Sequence, residues 1–277
     1  MIRLLLVFIL SLCISPALAQ LVYPIVGTYK GKSAQGMVVY KDSAYVFNDG
    51  GRCRVLNLKS GEIVREFLLG SSPQNPHVNT ACFGKERPAG IDMPYMYISE
   101  TRGQFRCFVE QLIADSSLHV QTISAIVNGK PLEMKTWVVD TKNDCLYGIT
   151  RDYRKLNEKK EYRNTLYRLR LPKIGEGKDV VLTEKDFLDQ YDLYFASGIQ
   201  GGKMKGDNLY ISAGREETVQ NRVDAKRVIH IIDLKKRCIK KTKDMTYVTV
   251  NEPEDIDFYK GEILLFCGQN GGIYKVK

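Results

Sequence analysis

Signatures of the common hydrolases and nucleotide-binding enzymes are missing from this sequence. Its 277 residues include three histidines, and His77, His119 and His230 are not spaced as in an HExxH zinc motif. No CxxC pair, GxSxG elbow or phosphate-binding loop occurs. The cysteines are widely spaced, so we expect buried free thiols and no disulfide framework. The sequence identifies no catalytic residue and leaves metal binding unknown.

Long apolar runs are missing beyond the first twenty residues. The start combines Arg3, an apolar run over residues 4–14 and small residues up to Ala19, which is the pattern of a cleavable export signal. We expect residues 1–19 to be a signal peptide and residues 20–277 to form a single domain, exported to the periplasm or the extracellular space. No later stretch approaches the roughly 20 apolar residues of a transmembrane helix, so we expect no membrane span.

The basic charge does not come with a nucleic-acid-binding motif. The formal net charge is +9, from 41 lysines and arginines against 32 acidic residues. The densest basic run, residues 235–241, lies where we place a hairpin turn and an outer strand, a setting typical of solvated cations. We therefore expect no nucleic-acid partner. A charge excess of this size can attract acidic glycans, membrane headgroups or nucleic acid. The partner that we expect is a polar or anionic small molecule, glycan or peptide.

A short apolar motif recurs five times at intervals typical of propeller blades. It reads AYVF, MYIS, LYGI, LYIS and LLFC, with its second residue at positions 45, 97, 147, 210 and 265. Short alternating strands flank each copy and turn residues separate them, the pattern of antiparallel sheet. Four strands and roughly 50 residues per unit match a blade. The sequence predicts an all-β fold, a five-bladed β-propeller of four-stranded antiparallel blades, with one short helix near residues 184–190.

The two ends of the chain complement each other. The fifth unit stops after its third strand near Val276, and a strand-like segment over residues 21–29 precedes the first blade without a partner there. We expect this N-terminal strand to join the last blade and close the ring, because closure removes open sheet edges. A ring without open edges is expected to be a monomer.

The blade sequences resemble those of the exported TolB-like and YVTN-like bacterial β-propellers. The resemblance rests on NDGGRCRVLNLKSGE, YMYISETRGQFRCFVE, TWVVD and EPEDIDFYKGEILLFCGQNGGIY, and it covers essentially all of residues 20–277. It implies a propeller fold but no particular substrate, because such motifs mark blade geometry.

A second resemblance concerns the start of the first blade. Ala34-Gln35-Gly36-Met37 is similar to the TQGL-like start of the five-bladed glutaminyl cyclases. That similarity implies an acyl-transfer enzyme. The chain departs from these enzymes at the tryptophans, since they use several around the site and this chain has only Trp137.

The starts of the innermost strands converge at one mouth of the central channel and define the candidate site. The predicted ligand-binding residues there are Gln35, His77, Asn79, Trp137, Gln200, Glu252 and Glu254. Their amide and carboxylate oxygens suit an ordered water column, a channel-bound Ca²⁺ or a polar ligand. Alternatively, these groups satisfy one another. Trp137 either stacks on a ligand or packs between blades.

Loops on the same face add three predicted ligand-binding arginines, Arg102, Arg151 and Arg215. Guanidinium groups offer forked donors to carboxylate or sulfate, whereas solvated loop arginines are the alternative. The leading hypothesis is an exported binding or scaffold propeller that recognises a polar or anionic ligand at the channel mouth. The alternative is an enzyme that uses the same mouth, either glutaminyl-cyclase-like or glycan-cleaving, with Glu254 as acid or base.

Overall fold

Five antiparallel sheets surround a common axis, so the chain folds as the predicted five-bladed β-propeller. The computed structural model describes residues 19–24, 34–215, 225–268 and 271–277. Each blade runs from an innermost strand at the axis to an outer strand at the rim. In the described part of the chain, no helix is long and apolar enough to cross a membrane.

The strands follow the chain blade by blade. Blade 1 consists of β2 (Ala34–Tyr40), β3 (Ser43–Asn48), β4 (Arg52–Asn57) and β5 (Ile63–Leu68). Blade 2 consists of β6 (Val78–Phe83), β7 (Met96–Glu100), β8 (Cys107–Ile113) and β9 (Ser116–Val127). Blade 3 consists of β11 (Thr136–Asp140), β12 (Cys145–Leu156), β13 (Tyr162–Arg170) and β15 (Phe187–Phe195). Blade 4 consists of β16 (Ile199–Lys205), β17 (Asn208–Ala213), β18 (Val228–Asp233) and β19 (Cys238–Asp244). Blade 5 consists of β20 (Pro253–Tyr259), β21 (Glu262–Cys267), β22 (Gly272–Val276) and β1 (Ala19–Tyr23).

The N-terminal strand closes the ring, as the sequence predicts. Strand β1 pairs antiparallel with β22, from Ala19 opposite Val276 to Tyr23 opposite Ile273. The Tyr23 hydroxyl then donates to the Leu58 carbonyl at 2.5 Å and ties the last blade to the first. The rest of the predicted closing segment, residues 25–29, lies outside the described residues, as do residues 1–18 of the predicted export signal.

Two additional strands enlarge the sheet of blade 2. Strand β10 (Lys130–Pro131) forms a hairpin with β9, and β14 (Asp179–Leu182) leaves the chain of blade 3 to pair parallel with β9. The predicted helix near residues 184–190 is wrong. That segment has a single 3-10 turn, Glu184–Asp186, followed by β15, because the strand pairs with β13 along its length. Within the described ranges, the other two 3-10 turns are Ser72–Gln74 and Ile174–Glu176.

The apolar core is divided into five clusters, each between two adjacent blades. Trp137 lies between blades 2 and 3 with Ile123 and Leu169, and Phe266 lies between blades 5 and 1 with Met37. Burial of such side chains contributes about 1.5–3 kcal/mol each. The six described cysteines are free thiols: Cys53, Cys82, Cys107, Cys145 and Cys267 are buried, and Cys238 is exposed.

Four of the five innermost strands begin with a register shift. The irregularities fall at Ala34/Met37 in β2, Val78/Thr80 in β6, Ile199/Gly202 in β16 and Pro253/Asp255 in β20. Strand β11 pairs with β12 without one. A bulge adds a residue and changes which side chain faces which side of a strand. These shifts therefore decide which residues line the channel.

Candidate functional site

The channel has two mouths, one at each end of the innermost strands. At the upper mouth the innermost strands begin, and at the lower mouth they end. The structure brings the predicted residues of the blade starts together at the upper mouth. Five of them are buried polar residues, Gln35, Asn79, Gln200, Glu252 and Glu254, and Trp137 is buried in the core between blades 2 and 3.

Polar side chains at the upper mouth are tied to one another and to the backbone. The Asn79 amide donates to the carbonyls of Lys135 at 2.9 Å and Gln200 at 2.7 Å, which links blades 2, 3 and 4. The Gln200 amide donates to the Glu252 carboxylate, which also accepts from Arg215 at 3.0 Å. Groups that the sequence assigned to a ligand thus connect four blades, 2 to 5, through hydrogen bonds.

Glu254 fits tightly against the backbone of its own blade. Its side chain is 2% exposed, and a Cβ on Gly268 would lie 3.0 Å from its Cγ. The backbone carbonyl of Glu254 accepts from the Ser212 hydroxyl at 3.2 Å. A glycine at position 268 is needed because any side chain there would displace the carboxylate.

Inside the channel, the bulge in β20 directs Asp255 towards the neighbouring blades. Its carboxylate accepts from the Met37 N–H at 2.8 Å and from the Thr80 hydroxyl at 2.9 Å. A Cβ on Gly201 would lie 2.8 Å from the Asp255 Cα and closer still to its carboxylate. Burial raises the pKa of Asp255 to about 8, although Lys203 and the Met37 N–H act in the opposite direction.

A lysine supplies the positive charge of the channel. The Lys203 ammonium lies 3.0 Å from the Asp257 carboxylate and donates to the Ala81 carbonyl at 2.9 Å. Burial is the largest influence on the pKa of Lys203 and lowers it, but Asp257, Cys82 and Asp255 together outweigh burial, so the pKa lies above its usual value. Among the described residues, no group of three or more His, Cys, Asp or Glu side chains has metal-binding geometry. The oxygens of Asp255 and Asp257 face N–H, O–H and ammonium donors.

Arg151 and Trp137 hold blades together. The Arg151 guanidinium donates to the Asn164 side chain at 2.9 Å and to the Ser197 carbonyl, so it is buried between β12 and the chain that follows blade 3. The Trp137 indole donates to the Phe105 carbonyl at 2.9 Å within the core between blades 2 and 3. This geometry matches the packing alternative for Trp137.

His77 and Arg102 line an open cavity of about 410 Å³ beside the upper mouth. Glu100 and Arg106 form a two-point ion pair in its wall, with contacts of 2.9 Å. Burial, and then the charge of Arg102, lower the pKa of His77 to about 4, so the imidazole is neutral at pH 7. The loop residues Gly103 and Gln104 line both this cavity and a second one of about 500 Å³ against β9 and β14.

All five innermost strands line a cavity of about 260 Å³ at the lower mouth. Its lining includes Lys203 and Asp257 together with apolar side chains such as Phe83, Val139 and Met204. Sequence reasoning missed Lys203, although a lysine after Gly201-Gly202 inside an innermost strand is an unusual charge in a buried element.

The fold and the channel define the chain as a β-propeller scaffold with five blades. Its fold is similar to the crystal structure of the Myxococcus xanthus glutaminyl cyclase, with a TM-score of 0.55 and 13% identity over 94% of this chain and 95% of that chain. BamB from Moraxella catarrhalis has a TM-score of 0.35 and 12% identity over 87% of this chain and 56% of that chain. Neither a protein-family model nor a curated protein matches the sequence. At these identities the similarity concerns the fold alone.

Proposed function

We propose that the protein is an exported binding propeller that recognises a polar or anionic ligand beside the upper mouth, in the cavity that contains Arg102 and His77. The ligand class is an acidic glycan, with an anionic small molecule or an acidic peptide as the other chemistries to test. The protein acts as a monomer, since the ring leaves no sheet edge open at its seam.

The proposal rests on the Arg102 guanidinium, which is exposed and has donors to offer. Its guanidinium is exposed at the 410 Å³ cavity and has no hydrogen-bond or ion-pair partner within the described ranges. The neighbouring Arg106, by contrast, is fully engaged by Glu100 and Gln74. Arg102 therefore offers forked donors to a carboxylate or sulfate that enters the cavity.

A second polar atom in the same cavity favours a sugar over a simple anion. The Asp49 Oδ1 atom is buried and has no hydrogen-bond partner among the described residues. A buried acceptor of this kind is costly unless a donor reaches it. A hydroxyl of an acidic sugar supplies that donor while its carboxylate or sulfate binds Arg102.

The test is a binding screen of the purified protein against uronic-acid and sulfated glycans, the matching neutral glycans and acidic peptides. We expect binding of acidic glycans, weakened about tenfold or more in Arg102→Ala, because a charge-assisted hydrogen bond contributes about 1.5–3 kcal/mol. Arg154→Ala is the matched control, since its side chain is 91% exposed on strand β12 of another blade. Equal binding of neutral and acidic glycans would contradict the proposal.

The catalytic alternative has less support. Glu252 is paired with Arg215 and Gln200, and Glu254 is enclosed by Gly268 and its own blade. An acid or base must reach substrate in an open pocket. Loss of turnover on glycan or N-terminal glutamine substrates in Glu254→Gln, with the fold intact, would favour an enzyme.

A further inference from the structure

The cavity at the lower mouth is a second candidate binding site, separate from the one at the upper mouth. Its 260 Å³ cavity lies on the propeller axis, and every blade contributes to its wall through the innermost strand. The volume corresponds to about nine water molecules. It therefore has room for a small molecule but not for a polymer.

One hydrogen-bond donor in this cavity, an N–H of Lys203, has no acceptor among the described residues. Lys203 uses two of its three N–H groups, on Asp257 and on the Ala81 carbonyl, and the third has no acceptor within the described residues. The Asp257 oxygens already accept from Lys203, from the Val39 N–H at 2.6 Å and from the Phe258 N–H at 2.7 Å. Asp257 is thus held by three donors of the channel, and Lys203 has one N–H left for an acceptor that the described residues do not supply.

The charge around the lower mouth favours an anion as that acceptor. Lys85 and Lys205 follow the lining residues Gly84 and Met204 in the sequence, and neither forms an ion pair with a carboxylate in the described part of the chain. Lys205 instead donates to the Gly261 carbonyl at 2.8 Å. An ammonium bound to a charged acceptor forms a stronger hydrogen bond than one bound to a neutral acceptor.

The rest of the lining is suited to a short hydrocarbon chain. Phe83 and Met204 are half-buried at the cavity, and Val38, Val39 and Val139 complete the apolar wall. We propose that the lower mouth binds a small monocarboxylate, with its carboxylate on the Lys203 ammonium and its aliphatic chain against Phe83 and Met204. This site is separate from the cavity at Arg102.

The experiment titrates the full chain with acetate, butyrate and hexanoate, and with butyramide and butylammonium as probes of equal length. Binding is followed by ligand-detected NMR. We expect butyrate to bind, butyramide to bind about tenfold or more weakly, and butylammonium not to bind. Absence of binding by all three carboxylates, or equal binding of butylammonium, would overturn the proposal.

Two variants locate the binding. Thr141 is exposed and lines the cavity, so Thr141→Trp blocks the lower mouth without removing a buried group, and Thr141→Ser is its control. We expect Thr141→Trp to reduce butyrate binding about tenfold or more, as does Lys203→Met where it folds. Unchanged binding in Thr141→Trp would overturn the proposal. Arg102→Ala should leave butyrate binding unchanged, which separates this site from the proposed glycan site.

Discussion

The Lys203 ammonium lies 3.0 Å from the Asp257 carboxylate, and the two residues come from the innermost strands of neighbouring blades. Both side chains are about nine-tenths buried, at 11% and 8% exposure. A buried ion pair replaced by apolar residues often costs little, whereas breaking one by removing a single partner is expensive. The pair therefore makes the channel sensitive to single substitutions.

Lys203→Met should destabilise the protein by about 3–5 kcal/mol, because Asp257 then stays buried without its cation. Adding Asp257→Asn should recover much of that loss, since the amide carries no charge. Urea unfolding of the wild type, both single variants and the double variant gives the coupling energy. Strictly additive losses would show that the pair contributes nothing as a unit.

Stability should decrease as the pH rises towards 8. The folded pKa of Asp255 is about 8 against an ordinary value of 3.8, so between these values the unfolded chain releases a proton that the folded chain keeps. His77 and His230, with folded pKa values of about 4, act in the opposite direction, but only below about pH 6.5. The free energy of unfolding should therefore fall by about 1–2 kcal/mol from pH 6.5 to 8. Asp255→Asn should lack this slope, and a wild type equally stable at both pH values would contradict the assignment.

Gly201→Ala should destabilise the fold by more than about 2 kcal/mol, because the added methyl group collides with Asp255 on the next blade. Gly175→Ala is the matched control, since nothing lies within 4 Å of a Cβ at that position. Thermal unfolding of the two variants compares them directly. Equal midpoints would mean that the channel has more room than the Gly201 contact indicates.

Arg151→Met should cost about 1–3 kcal/mol, because it leaves the carbonyls of Ala196 and Ser197 without their buried donor. Arg154→Met, three residues on, should change stability by less than about 0.5 kcal/mol, since its pairing with Asp152 is solvent-exposed. The same pair of variants should bind acidic glycans like the wild type. A loss of glycan binding in folded Arg151→Met would instead support the predicted ligand-binding role of that residue.

The blade plan could be predicted from sequence because each strand carries its own local signal. The repeated motif with Tyr45, Tyr97, Tyr147, Tyr210 and Leu265 falls in the second strand of every blade. The closing strand could be predicted because the segment that begins at Leu21 had no partner in blade 1 and the fifth unit, which ends near Val276, had only three strands. Strand β14 could not be predicted in this way, because its partner Thr122–Ala125 belongs to another blade and the pairing is parallel.

The channel lining could be predicted only in part, because the bulges change the period-two alternation. If Glu254 faces the channel, an ideal strand directs Asp255 and Asp257 to the opposite side. A bulge changes this assignment. The shift at Pro253/Asp255 brings Asp255 to Thr80 and Asp257 to Lys203. Contacts between side chains of different blades form only when the ring assembles, so the sequence of a single strand does not predict them.

The antiparallel pairing of β1 with β22 sets the mechanical behaviour of the molecule. Ala19 lies opposite Val276, so a force applied through the two ends of the chain loads the bonds of this seam one after another, like a zipper. Bonds loaded in sequence yield at a lower force than bonds loaded together. Under tension the propeller should open at this seam first, and blade 5 should come apart before the other four.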